Sequence, residues 1–289
     1  MVGGSALITL NDSIIKSLGG IYPVGEMLFV RCLFTLIPVA YFAWRAGGLA
    51  SLRVNDWTGQ AIRAVAVVSS AFCFVYGLKF LPLADNVAIA FAGPLFVTAL
   101  APFLLGEFVG WKRWTAVLVG FAGVLIMVRP TGAGLQWAAL LPLGAALTGA
   151  VRDIWTRRLR LTETSESILL VTTTAVGLGG LVTVPFAWVT PTLPHLAALA
   201  VSGLLLGCSH FLVIEALRLT EAAVVVPFKY SAFVWAVLLG FIMWGDIPQP
   251  WTLAGVVLVI GSGLYILNRE LMQRAPAPVP ASATRPRLP

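Results

Sequence analysis

Two basic residues, Arg31 and Lys229, lie deep inside long apolar runs of this chain. An ionised side chain at the centre of a membrane helix costs about 2.5–3.5 kcal/mol, so it faces a cavity or a partner. Two chemistries fit. Each cation either captures an anionic group of a substrate or pairs permanently with an acid from another helix. Lys229 stands in Pro227-Phe228-Lys229-Tyr230, where the proline removes a backbone donor and frees a carbonyl to face a cavity. Arg31 follows Glu26 by about 140° around a helix, so its partner lies elsewhere, at Asp12 or Asp85. Asp12 and Lys16 are an acid and a base one helical turn apart, neighbours on one face. With Glu26 they form either a structural salt-bridge network or a set of counter-ions and proton carriers.

Further candidates flank these. Asp85 reads as a helix N-cap, and Asn86, if it points inward, hydrogen-bonds a ligand. Phe91, Tyr230 and Trp235 offer rings for stacking. His210 is a packing residue or a proton relay. Glu107 and Asp246 are rim acids or parts of a gate. No HExxH, GxSxG, GxxxxGK, GxGxxG or EF-hand pattern is present. With only His195 and His210, a His-rich metal site is excluded. Cys32, Cys73 and Cys208 lie in apolar runs without CxxC spacing and read as packing residues. No cofactor is implied.

The elements that must position these residues are membrane helices. The chain is 59% hydrophobic and 11% charged, where a soluble domain carries about 25% charge. The net charge of +7 resides in loops and the tail and does not indicate nucleic acid. Apolar runs long enough to cross a bilayer as helices fall near 1–18, 23–44, 59–79, 83–105, 111–129, 136–157, 167–189, 195–216, 221–243 and 250–268. Lys and Arg gather in alternate loops, which places both termini in the cytoplasm. Span one is short against span six, which begins near Trp137.

The stretch 76–107 returns 139 positions later as 215–246. Leu78 falls on Leu217, Lys79 on Arg218, Gly106 on Gly245 and Glu107 on Asp246. At an offset of 141, Asp12 and Lys16 fall on Asp153 and Arg157. Five spans separate the copies, so the second crosses the membrane in the opposite sense. Pro94 and Pro227 each interrupt the corresponding span, though not in register, and paired broken helices point to a transporter's binding site. Gly120, Gly123, Gly261 and Gly263 read as helix-packing positions, with a homodimer face as the other reading. Residues 271–289, rich in Pro and Ala, read as a disordered cytoplasmic tail.

The chain resembles the EamA-type permeases of the drug/metabolite transporter superfamily over residues 1–270. The likeness rests on Asn11-Asp12 with Lys16, on Pro23, Glu26 and Arg31, and on the Leu81-Pro82-Leu83-Ala84 corner. Pro94-Leu95-Phe96, Gly106-Glu107, Glu215-Ala216-Leu217-Arg218 and Pro227-Phe228 extend it. The resemblance implies ten helices in two inverted five-helix halves, a central cavity, and passage of small metabolites without ATP hydrolysis. The NDxxxK start and PxxE entry are similar to members assigned S-adenosylmethionine uptake. Riboflavin and amino-acid permeases share that architecture.

The expectation is an all-α integral membrane protein of the bacterial inner membrane, with repeats at 1–130 and 131–270. It is a secondary transporter for a small metabolite bearing an anionic group. Arg31, Asn86, Phe91, Lys229, Tyr230 and Trp235 line the site, and Asp12, Lys16, Glu26, Asp85 and His210 serve coupling. The other readings are an efflux permease for amino acids or drugs, and a polytopic membrane enzyme or assembly factor.

Overall fold

The computed structural model describes residues 1–128, 137–159, 162–219 and 226–274. Among them all regular structure is helical. The first half holds α1 (Val2–Leu18), α2 (Val24–Arg45), α3 (Trp57–Phe80), α4 (Leu83–Ala90), α5 (Gly93–Leu105) and α6 (Trp111–Val128). The second holds α7 (Leu140–Leu159), α8 (Ser165–Thr183), α9 (Leu193–Leu219), α10 (Ser231–Trp244) and α11 (Pro250–Arg274), with a 3₁₀ turn at Val226–Tyr230 leading into α10. Of the expected disordered tail at 271–289, residues 271–274 instead continue α11; residues 275–289 and the corner at 220–225 lie outside the described residues.

Among the described residues, eight spans are long and apolar enough to cross a membrane, counting α4 with α5 as one. The two remaining helices are α1, with 17 residues, and α7, which carries Arg152, Asp153, Arg157 and Arg158. These are the opening helices of the two halves, and they bear the polar echo seen in the sequence. Asn11 and Asp12 of α1 are buried among the helices that surround them, while Arg158 of α7 is exposed.

Packing follows a twofold pattern. Helix α1 packs on α9 as α7 packs on α3, α2 on α9 as α8 on α3, and α1 on α10 as α7 on α5. Two contacts pair an element with its own counterpart, α2 with α8 and α6 with α11, and α4 packs on α10, the counterpart of α5. The α2–α8 pair approaches closely. A Cβ on Gly180 would stand 2.4 Å from the Gly25 carbonyl oxygen, so only glycine fits.

The 139-residue offset is visible in backbone detail. Helix α5 ends at Gly106 with φ 67° and α10 at Gly245 with φ 71°, a left-handed cap that favours glycine. Glu107 N–H donates to the Ala101 carbonyl at 3.4 Å, and Asp246 N–H to the Gly240 carbonyl at 3.2 Å. The helix breaks also match: α5 begins at Gly93 and α10 at Ser231. The prolines are out of register, yet the interruptions they cause are not.

The ends of the bundle differ. At one, called here the Lys16 end, α1 stops and α3 turns into α4. At the other, the Arg45 end, α2 and α7 stop and α3 and α8 begin. Loops at the Arg45 end are tied by Glu163, whose carboxylate accepts from the Asn55 and Asp56 amides at 2.6 and 2.7 Å and from the Ser167 hydroxyl at 2.9 Å. Burial alone would raise this carboxyl, but the amides of Asp56 and Asn55 with Ser167 outweigh it and hold it below its ordinary value.

Candidate functional site

Two polar clusters occupy related positions in the bundle. In the first, Asp12 of α1 accepts from the Asn11 amide at 2.9 Å, and Ser202 of α9 donates to the Asn11 oxygen at 2.6 Å. Arg31 of α2 supplies the opposing charge that acts on Asp12. Its Nε is buried with no hydrogen-bond partner among the described residues. Asn11, Asp12, Arg31 and Ser202 are all buried.

In the second cluster, Arg152 Nε of α7 donates to Asp153 at 2.8 Å. Arg63 of α3 donates to Thr156 of α7 at 2.7 Å and to Thr172 of α8 at 2.5 Å. Lys229 and Arg63 both act electrostatically on Asp153. The Arg152 and Asp153 side chains stay 35% and 46% exposed, although α3, α4 and α5 all pack on α7. They therefore face an open space. Lys229 is likewise exposed, in the turn before α10. His210 of α9 lies within the field of Arg152, Arg31 and Arg63, and its Nδ1 has no partner among the described residues.

The clusters correspond residue by residue. Asn11 and Asp12 map onto Arg152 and Asp153 at offset 141, Arg31 onto Thr172 at the same offset, and Arg63 onto Ser202 at 139. Each half thus holds one aspartate, and the arginines that serve it come from different helices.

Between the clusters, Phe91 meets Tyr230 edge to face, with centroids 5.0 Å apart and planes at 88°. These residues are also 139 apart. Each sits at the break of its own arm, so the two arms touch at matched points.

The Lys16 end is closed by polar ties. Lys16 Nζ donates to the Leu81 carbonyl at 2.5 Å, stands 4.0 Å from Asp246 and lies 5.2 Å from the Trp244 ring centroid. Thr252 of α11 donates to Asp85 at 2.8 Å. Asn86 is 0% exposed and donates to the Phe74 carbonyl of α3 at 3.3 Å. The Val189 amide donates to Glu26 at 2.9 Å, and the Tyr22 hydroxyl meets His195 Nδ1 at 2.8 Å.

Several sequence expectations change here. Lys16 does not pair with Asp12; it reaches past it to Leu81 and Asp246, because the end of α1 lies against the α3–α4 corner. Asp85 is not an N-cap. The cap position is Pro82, and the carboxylate binds Thr252 instead. Glu26 anchors the α8–α9 connection, away from the Asp12–Arg31 cluster. Asn86 turns toward α3, not toward an open space. Asp153 takes Arg152, its neighbour, instead of Arg157. Trp235 is half-buried on α10. Arg152, Arg63, Ser202 and Asn11 were not singled out as site residues. The register of the repeat carries the signal for all four, since Asn11 falls on Arg152 and Arg63 on Ser202.

Among the described residues no group of His, Cys, Asp and Glu side chains could hold a metal ion. The arrangement suits electrostatic recognition of a charged group.

A family model described as the EamA-like transporter family matches residues 1–129 and again 136–268. The chain is 28% identical to an S-adenosylmethionine uptake transporter of Rickettsia bellii, covering 90% of this chain and 89% of that one. It is 32% identical to a riboflavin transporter of Rhizobium johnstonii, over 80% and 77% of the two chains. A pseudopaline exporter of Pseudomonas aeruginosa is 24% identical over 89% and 90%. One solved crystal structure superposes with a TM-score of 0.67 at 19% identity, covering 94% of this chain and 98% of the other, and shares the fold.

Proposed function

The chain belongs to the EamA-like transporter family, and we propose that it is a secondary transporter moving a small organic metabolite by alternating access. The observation that carries this reading is the pair of matched broken arms that meet at Phe91 and Tyr230. On one side of that contact the polar cluster is buried; on the other it is open. A substrate entering past the cations of the Arg45 end reaches Lys229, Arg152 and Arg63, the groups that act on Asp153. An anionic group would bind there, while Tyr230, Phe91 and Trp235 bound its apolar or ring portion. Arg31 and Asp12 stand behind as the charges exposed when the halves rock to the opposite state. Asp12 and His210 are the groups assigned to proton coupling.

Cations collect at the Arg45 end, where Arg45, Arg53, Lys112, Arg113, Arg157, Arg158 and Arg269 lie. By the positive-inside rule that end is cytoplasmic, and so are both termini. The protein is a multi-pass membrane protein, and the bacterial cytoplasmic membrane is the location assigned. Relatives named for S-adenosylmethionine and riboflavin make metabolites carrying a heterocycle the first candidates.

The test is flux. Proteoliposomes would be offered labelled S-adenosylmethionine, riboflavin and an amino-acid pool, with and without a pH gradient. Movement of one class, dependent on the protein, is expected. Lys229→Ala should lower it about tenfold or more, the loss of one charge-assisted hydrogen bond, without loss of folded protein. Absence of any flux, alongside turnover of lipid or peptide, would sink the reading in favour of a membrane enzyme.

A further inference from the structure

A cavity of about 200 Å³ opens at the Arg45 end, apart from both polar clusters, and is lined by Gly110, Trp111, Lys112, Arg113 and Arg269. Three of these five residues are cationic and none is acidic. They come from the start of α6 and the far end of α11, two helices that pack on each other. Glu107, in the preceding loop, is exposed and does not line the space. Lys112 Nζ stands 5.6 Å from the Trp111 ring centroid. Trp111 is itself exposed, as are Phe103 and Phe108 beside it.

These features locate the cavity. Exposed tryptophan at the end of a membrane helix settles at the level of the lipid headgroups. Lys112 and Arg269, brought from two helices to one concave space, repel each other and favour a shared anion within it. Pockets for whole metabolites usually measure about 300–1,000 Å³, so this one suits a smaller group. Basic pockets between helices at a charged membrane face bind lipid headgroups through their phosphates.

We propose that Trp111, Lys112, Arg113 and Arg269 form a site for the phosphodiester of an anionic phospholipid. The bound headgroup bridges α6 and α11, and its acyl chains run along their lipid-facing sides. The site is separate from the transported substrate's path and does not depend on what that substrate is.

Native mass spectrometry of the delipidated full-length protein in detergent tests this. Phosphatidylglycerol and phosphatidylcholine would be added in equal amounts, with inorganic phosphate as a competitor. The expected result is a roughly tenfold preference for phosphatidylglycerol, removed in the double variant Lys112→Gln/Arg269→Gln. Arg45→Gln/Arg53→Gln, at the same end but outside the cavity, should keep that preference and controls for general charge loss. Equal binding of the two lipids by the wild type overturns the proposal, as does a preference that survives the first pair of changes. Displacement of the lipid by submillimolar phosphate overturns the lipid assignment in favour of a soluble anion. Should the double variant fold poorly, Trp111→Ala with Lys112→Gln gives the same reading.

Discussion

The arm Leu83–Leu105 and the arm Pro227–Trp244 are built to one plan. Each is broken at a matched point, capped by a matched left-handed glycine and seated against the other. Yet Ala88, Ile89, Phe91 and Ala92 at the first break are buried, while the matched residues 227–231 are half-buried or exposed. Related positions in a twofold bundle see lipid to a similar degree, so lipid exposure does not account for the gap. The first arm is held by Asn86, Asp85 and the neighbouring Lys16, while the second opens beside Arg152, Asp153 and Lys229. The contrast teaches that two halves built to one plan are packed to different degrees at matched points.

Removing charge should break this contrast most sharply. Arg31→Ala leaves Asp12 buried without its opposing charge, which should cost about 3–5 kcal/mol. Arg152→Ala removes half of a partly exposed pair and should cost only about 0–1 kcal/mol. Melting curves in detergent compare the two. Equal losses would show that the second cluster is as buried as the first. Arg31→Ala combined with Asp12→Ala should recover part of the loss.

Packing gives the next largest effect. A Cβ on Gly77 would lie 2.1 Å from the Asn86 Oδ1 and 3.1 Å from Pro142. Gly77→Ala should therefore loosen the closed corner at about 1–3 kcal/mol. The matched position in the second half is already Ala216, and Ala216→Gly should cost only about 1 kcal/mol, the ordinary price of glycine within a helix. Melting temperatures of the two variants, read side by side, show whether the corners differ as described.

Acid should act on the open end through Glu163. Its carboxyl is held below the ordinary 4.5 in the folded chain, so its contribution is complete above pH 4.5 and drains away as pH falls through the lowered value. Wild-type stability should fall more steeply than that of Glu163→Gln below pH 4.5. Parallel curves would remove Glu163 as the tie between the α2–α3 and α7–α8 connections. The smallest effect belongs to Asp246→Asn. With Lys16 4.0 Å away, the pair is worth about 0–1 kcal/mol. The change should appear mainly as greater labelling of Cys substitutions near Leu81 from the Lys16 side.

Much of this was legible in the chain. Ten spans, the offset of 139 and the two interrupted helices follow from periodicity and proline, which act locally. The partners of the charges did not follow, because they depend on which helix ends meet. Lys16 looked paired with Asp12 one turn away, yet the α3–α4 corner offers it a carbonyl and Asp246. No acid lies within one helical turn of Arg63 to mark it as a site residue. Helix α3 begins at Trp57, with Asp56 accepting from the Gly59 amide at 2.8 Å, and this carries Arg63 into the bundle. That cap is a signal the sequence does contain.

The contact between Phe91 and Tyr230 has a geometrical property of its own. A point on a twofold axis is the only kind that stays in place when two related halves exchange shapes. Phe91 and Tyr230 hold matched positions, so a contact between them is kept in such an exchange, with the ring that offers its edge and the ring that offers its face trading roles. A spectroscopic ruler anchored at this contact would then read displacement of the helices against a pair that both arrangements share.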